Sequence, residues 1–223
     1  MKLLMHRMLR LLLGLLLYAL GIVLTLNARI GFGPWEVFHV GLAQTTGMSI
    51  GVASIVTGLA ITLIVILIGE TLGLGLGTIL NMVLIGIFLD AVLALAFIPV
   101  AASFLTGVMM MIAGLFVIAL GSYFYIGSGF GAGPRDSLMV VLTRKTRLPV
   151  GVIRGGIELT AVLVGWRLGG MVGQGTVLAA LLIGFCVQLT FRLLHFDPSS
   201  IQHESLLATY QVVVDTLLAK HKK

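Results

Sequence analysis

Two short stretches hold most of the residues in this chain that could do chemistry: Gly31-Phe32-Gly33-Pro34-Trp35-Glu36 and Gly131-Ala132-Gly133-Pro134-Arg135-Asp136. Proline suits the first turn of a helix, where its missing N–H costs nothing, and the glycines before it permit a tight approach. A short helix therefore starts at Pro34 and another at Pro134, each with a carboxylate, Glu36 or Asp136, favourably placed against the helix dipole. Two readings of this pattern differ in function. Either the two helix starts point into a central cavity and bind a solute or ion, or they are elbows at the membrane surface whose acids only cap them. Trp35 suits the second reading, because indole rings favour the headgroup zone. Arg135 suits an anion or a lipid phosphate.

Three further sets of polar residues stand inside apolar runs. Asp90 could bind a cation or carry a proton, or serve as a helix contact, and Gln188 is polar at the corresponding depth of the second half. Arg154 and Glu158 are spaced i, i+4 and share a helix face, as a gating pair or as a surface pair with Arg154 reaching to headgroups. Ionisable residues within a span are expensive and are functional candidates for that reason. His39, on the first short helix, reads as interfacial.

The elements that must position these groups are membrane helices. Of 223 residues, 59% are hydrophobic and 10% charged, against roughly 25% charged in soluble domains. Mean hydropathy is +1.15. A water-soluble fold is excluded. Apolar windows predict spans at 9–27, 50–69, 76–97, 103–125, 150–168 and 173–193. Residues 1–10 followed by 11–26 have the outline of a signal peptide, but the first span has a counterpart later in the chain and is expected to be retained.

That counterpart belongs to an internal repeat. A shift of 100 pairs Gly14, Ala19 and Gly21 with Gly114, Ala119 and Gly121, and Gly31, Gly33 and Pro34 with Gly131, Gly133 and Pro134. A shift of 98 pairs Gly77, Thr78, Ile85 and Gly86 with Gly175, Thr176, Ile183 and Gly184. Glycines within the spans read as close helix packing.

With three spans per repeat, the halves lie in opposite orientation. Of 14 Lys and Arg, only Arg29 and Arg167 then face the far side, with Arg154 within or near the fifth span. The positive-inside rule accordingly places both termini in the cytoplasm. The expected fold is an all-α membrane protein with six transmembrane helices in two inverted three-helix repeats. Repeat 1 covers about 8–97 and repeat 2 about 103–195 within a membrane domain over 1–198. Residues 199–223 carry a helical apolar stripe and a basic end, so a cytoplasmic amphipathic helix is expected there.

No dinucleotide fingerprint, phosphate loop, His-Glu-x-x-His or Gly-x-Ser-x-Gly motif occurs. The sequence predicts no enzyme, cofactor or metal, and no nucleic-acid partner. Cys186, the one cysteine, reads as packing.

At the paired segments Gly33-Pro34-Trp35-Glu36 and Gly133-Pro134-Arg135-Asp136, the chain resembles the YczE-like branch of the YczE/YyaS/YitT integral membrane proteins, over about residues 8–195. The resemblance implies a multi-pass helical protein of the bacterial cell membrane and assigns no activity. The leading expectation is a small-solute or ion transporter with Gly33, Pro34, Glu36, Asp90, Gly133, Pro134, Arg135, Asp136 and Gln188 near the pathway. The alternative is a non-transporting accessory or regulatory protein acting through a membrane partner, and assembly with further copies of the chain is compatible with either.

Overall fold

A computed structural model describes residues 2–68, 75–131, 133–198 and 201. The amphipathic helix expected over 199–223 lies outside them, apart from Ile201. Eight helices make up the described residues: α1 (Lys2–Asn27), α2 (Pro34–Thr46), α3 (Ile50–Leu67), α4 (Leu76–Leu95), α5 (Phe104–Ile126), α6 (Pro134–Thr146), α7 (Val150–Arg167) and α8 (Gln174–Leu193). No strand occurs among these residues. Five helices are long and apolar enough to cross a membrane: α1 from Leu4, α3, α4, α5 and α8. α7 is as long as α3, at 18 residues, but carries Arg154, Glu158 and Arg167.

The core is the crossing of α1 and α5. Leu11, Leu15 and Ala19 of α1 and Met111 and Ala119 of α5 are fully buried. The two backbones touch at glycines. A Cβ on Gly21 would lie 2.8 Å from the Gly114 carbonyl oxygen, and one on Gly121 would lie 2.8 Å from that of Gly14. Because Gly14 meets Gly121 while Gly21 meets Gly114, the helices run antiparallel. The packing expected of these glycines is present, and its physical basis is that small residues let helices approach where no water-driven force pulls them together.

α4 packs on α1 and α8 on α5, while α2 lies against α7 and α6 against α3. Local geometry recurs at the paired positions. Gly31 and Gly131 have φ of 115° and 122°, a left-handed region open to glycine. The Gly77 N–H donates to the Phe130 carbonyl and the Gly175 N–H to the Ile30 carbonyl, each at 2.7 Å. The connection before each short helix is thus tied to the last long helix of the other half.

The connections gather at two ends of the bundle. At one end, Phe32 N–H donates to Met171 O and Ala101 N–H to Asn27 O, and Thr45 Oγ1 donates to Leu168 O. At the other, Arg7 Nε donates to Ser128 O and stacks on Phe130, Arg10 stacks on Tyr123, and Lys145 Nζ donates to Ile68 O. Arg7 and Arg10 are therefore part of a helix docked on the α5–α6 connection.

The halves differ in how their last two helices pack. α3 and α4 pack tightly, with Gly51 against the Gly86 carbonyl and Gly58 against Met82. α7 is parted from α8, and a Cβ at Gly151, Gly155, Gly156 or Gly184 would meet nothing within 4 Å.

These spaces set opposite outcomes for two glycine substitutions, read by thermal unfolding in detergent. Gly21→Val, forced against backbone, is expected to cost about 1–3 kcal/mol. Gly155→Ala, in open space within a helix, is expected to gain roughly 0.5–1 kcal/mol. Equal effects would contradict the crossing.

Candidate functional site

Both short helices begin inside the bundle. Gly33 and Gly133 occupy the position before the first turn with matching extended conformations, φ/ψ of −60°/159° and −66°/161°. Beside these helix starts lie two polar cavities. The larger, about 130 Å³, is lined by Tyr18, Gly33 to Glu36, Arg135, Asp136, Arg154 and Glu158, with Ala179 and Ile183 of α8. The smaller, about 80 Å³, is lined by Tyr18, Gly133 to Asp136, Ser54, Gly58 and, on α4, Asn81 and Ile85. Arg154 and Glu158 of the first cavity occupy the places of Ser54 and Gly58 in the second, 100 residues earlier.

Five ionisable side chains thus meet from α2, α6 and α7. Glu36 folds back on its own helix, so that a Cβ on Gly33 would collide with its carboxylate. Asp136 does likewise through a tyrosine: Tyr125 Oη accepts the Gly133 N–H and donates to Asp136 Oδ2 at 3.4 Å. Both acids turn to their own helix starts and both line the cavity. Asp136 is an exposed residue within the bundle, and it lines both cavities.

Arg135 stacks on the Trp35 indole, 4.4 Å from the ring centroid, and its Nη2 lies 3.3 Å from His39 Nε2. Guanidinium only donates, so His39 Nε2 accepts and the ring carries its proton on Nδ1. His39 is 1% exposed, which corrects its reading as interfacial. Trp35 likewise points at the cavity, half-buried under Arg135. Arg154 Nε donates to Glu158 Oε1 at 2.9 Å, with Glu158 the more buried partner.

The structure brings together Gly33, Pro34, Glu36, Gly133, Pro134, Arg135, Asp136, Arg154 and Glu158. Asp90 and Gln188 line neither cavity. Asp90 instead holds the start of α3, accepting from Ser49 Oγ and from the Gly51 N–H at 2.8 Å, and Gln188 is exposed on α8. Sequence reasoning missed Tyr18, Tyr125 and Asn81. A tyrosine or asparagine facing the interior of an apolar helix was the available signal, since such polar groups seek a partner or water.

A model described as "Family of unknown function (DUF6198)" matches residues 5–192. The chain belongs to this family. Among curated relatives, the uncharacterized membrane protein YczE of Bacillus subtilis strain 168 is 37% identical over 209 residues, covering 93% of this chain and 91% of that protein. An uncharacterized protein of Haemophilus influenzae is 34% identical over 186 residues, covering 81% of this chain and 84% of its own length. No solved structure matches. The DUF6198 match spans both Gly-x-Gly-Pro segments and every long helix, and the first relative is the kind of protein that the paired motifs resemble.

Asp90 and Gln188 are separable by stability. Asp90→Ala, which removes two partners from the α3 start, is expected to cost about 1–2 kcal/mol, and Gln188→Ala to stay within about 0.5 kcal/mol. Thermal unfolding of the purified variants reads the difference.

Proposed function

We propose that this chain is a transporter of a small solute or ion, built as two inverted repeats of three spans each, with α7 as the sixth span. The observation that carries the reading is the convergence of Glu36, Arg135, Asp136, Arg154 and Glu158 on one cavity between two broken-helix starts. A charged side chain at the centre of a bilayer costs about 2.5–3.5 kcal/mol on insertion scales. An assembly that only anchors a partner has no use for five of them facing each other inside the bundle. Broken helices with their starts at a polar cavity inside the bundle are an arrangement that substrate binding exploits in transporters.

Inversion is supported by the antiparallel crossing of α1 and α5, which are counterparts in the repeat, and by the distribution of charge. Arg7, Arg10, Lys145 and Arg147 lie at one end of the bundle, and Arg29 and Arg167 at the other. The positive-inside rule makes the first end cytoplasmic, in the bacterial cell membrane to which the resemblance points. The two halves also sit in different arrangements, α3 closed on α4 and α7 parted from α8. In the exchange we propose, α7 closes on α8 through Gly151 and Gly184 as α3 opens from α4 at Gly51 and Gly86, transferring access to the cavity from one side to the other.

Two sets of variants test this in proteoliposomes, with flux of a panel of small anions, cations and amino acids as readout. Glu36→Gln and Asp136→Asn are expected to lose about tenfold or more in rate, about 1.4 kcal/mol at the barrier, while remaining folded. Gly184→Leu, whose side chain enters open space, is expected to leave stability unchanged and to stop flux by blocking closure. Normal flux in Gly184→Leu overturns the exchange. No flux across the panel, with both carboxylates dispensable in the cell, favours the accessory role.

A further inference from the structure

The polar cavity is not closed off on its α7 side. Trp35 and Ile157 line it and also line a second space, an apolar groove of about 770 Å³ between α2, α3, α6 and α7. Phe38, Leu42, Ile61, Ile64, Leu142 and Val164 are among its walls. Ile64 and Val164 are exposed, at 47% and 42%, so the groove opens on the outer surface of the bundle. A small charged chamber thus adjoins an apolar groove about six times its volume, which lies within the roughly 300–1,000 Å³ of ligand sites.

The charges of the chamber are unevenly engaged. Glu36 is turned to its own helix start, Asp136 to Tyr125, and Glu158 is paired with Arg154. Arg135 touches an imidazole and an indole and forms no ion pair with any described carboxylate. It stands at Trp35, where chamber and groove join. Glu36 and Asp136 lie in the same chamber and feel its charge without bonding to it, so the guanidinium at the head of the apolar groove can still donate to an incoming anion.

We propose that the ligand of this site is a long-chain carboxylate whose head meets Arg135 and whose chain lies in the α2–α3–α6–α7 groove, entering sideways from the bilayer. This deepens the transport reading and rests on it. The head is a single carboxylate because the chamber, at about 130 Å³, admits no bulky headgroup, and because Arg135 is the cation in it that no described carboxylate bonds, whereas Arg154 is held by Glu158. The chain supplies most of the affinity through the groove, and Arg135 selects the ionised head.

Tryptophan quenching tests the assignment. Trp166→Phe leaves Trp35 as the sole tryptophan of the chain. In phosphatidylcholine nanodiscs, a fatty acid brominated along its chain should quench Trp35 saturably, with an apparent affinity about tenfold above that of its methyl ester at equal membrane loading. Arg135→Gln should abolish that preference and Arg135→Lys should restore part of it, with both variants confirmed folded by thermal unfolding. Equal quenching by acid and ester, or a preference that survives Arg135→Gln, overturns the proposal and leaves ordinary bilayer chains in the groove. The same variants assayed with hydrophilic solutes distinguish the two failures: flux of such a solute, without acid preference, sinks the ligand class and spares the transporter.

Discussion

The contact of α1 with α5 at bare backbone is the constraint from which the other arrangements follow. Gly14 against Gly121 and Gly21 against Gly114 bring the helix axes so close that no side chain fits between them. Each helix must then bury its remaining face on something else, and α4 and α8 take those places. The short helices α2 and α6 fill the flanks. Since both begin at a Gly-Pro step beside the crossing, their starts fall next to Tyr18 and Ile118, and the two cavities form there. A residue with a Cβ at any of the four glycines would widen the crossing and displace the floor of both cavities.

A second constraint is electrostatic. Hydrocarbon offers broken helix starts and charged side chains no partner, so they must satisfy one another inside protein or in a wet cavity. Glu36 and Asp136 close their own helix starts, Tyr125 bridges the second, His39 takes a bond from Arg135, and Glu158 holds Arg154. Each group has a partner, yet the ensemble stays open enough for Asp136 to be exposed within it. The two chambers are similar, but Arg154 and Glu158 make one of them highly charged, while Ser54 and Gly58 line the other.

Much of this was legible in the sequence because glycine and proline carry position-specific meaning. The short helices start at Pro34 and Pro134 and both end at the threonine twelve residues on, Thr46 and Thr146. Gly14, Gly21, Gly114 and Gly121, which the shift matches as 14 with 114 and 21 with 121, are the glycines of the α1–α5 contact, where Gly14 meets Gly121 and Gly21 meets Gly114. The direction of side chains was harder to read. Asp90 had the properties of a pathway carboxylate, but hydropathy does not reveal that Ser49 and the α3 start lie beside it. His39 and Trp35 passed as surface residues because an amphipathic ring suits a membrane interface and a cation-lined cavity equally well. The parting of α7 from α8 left no trace at all: Gly151 and Gly184 repeat Gly51 and Gly86, and identical residue types adopt a closed contact in one half and an open one in the other.

The central claim is that the second half runs upside down relative to the first. Thr46 and Thr146 test it directly, being exposed, equivalent in the repeat and each donating its hydroxyl to a carbonyl of its own helix, with Thr146 Oγ1 also accepting from the Leu148 N–H. In a Cys186→Ala background, cysteines placed singly at these two positions are labelled in intact cells with a thiol reagent that does not cross the membrane. The account predicts modification at 46 and protection at 146 until the cells are opened. Modification of both in intact cells, or of neither, would contradict it.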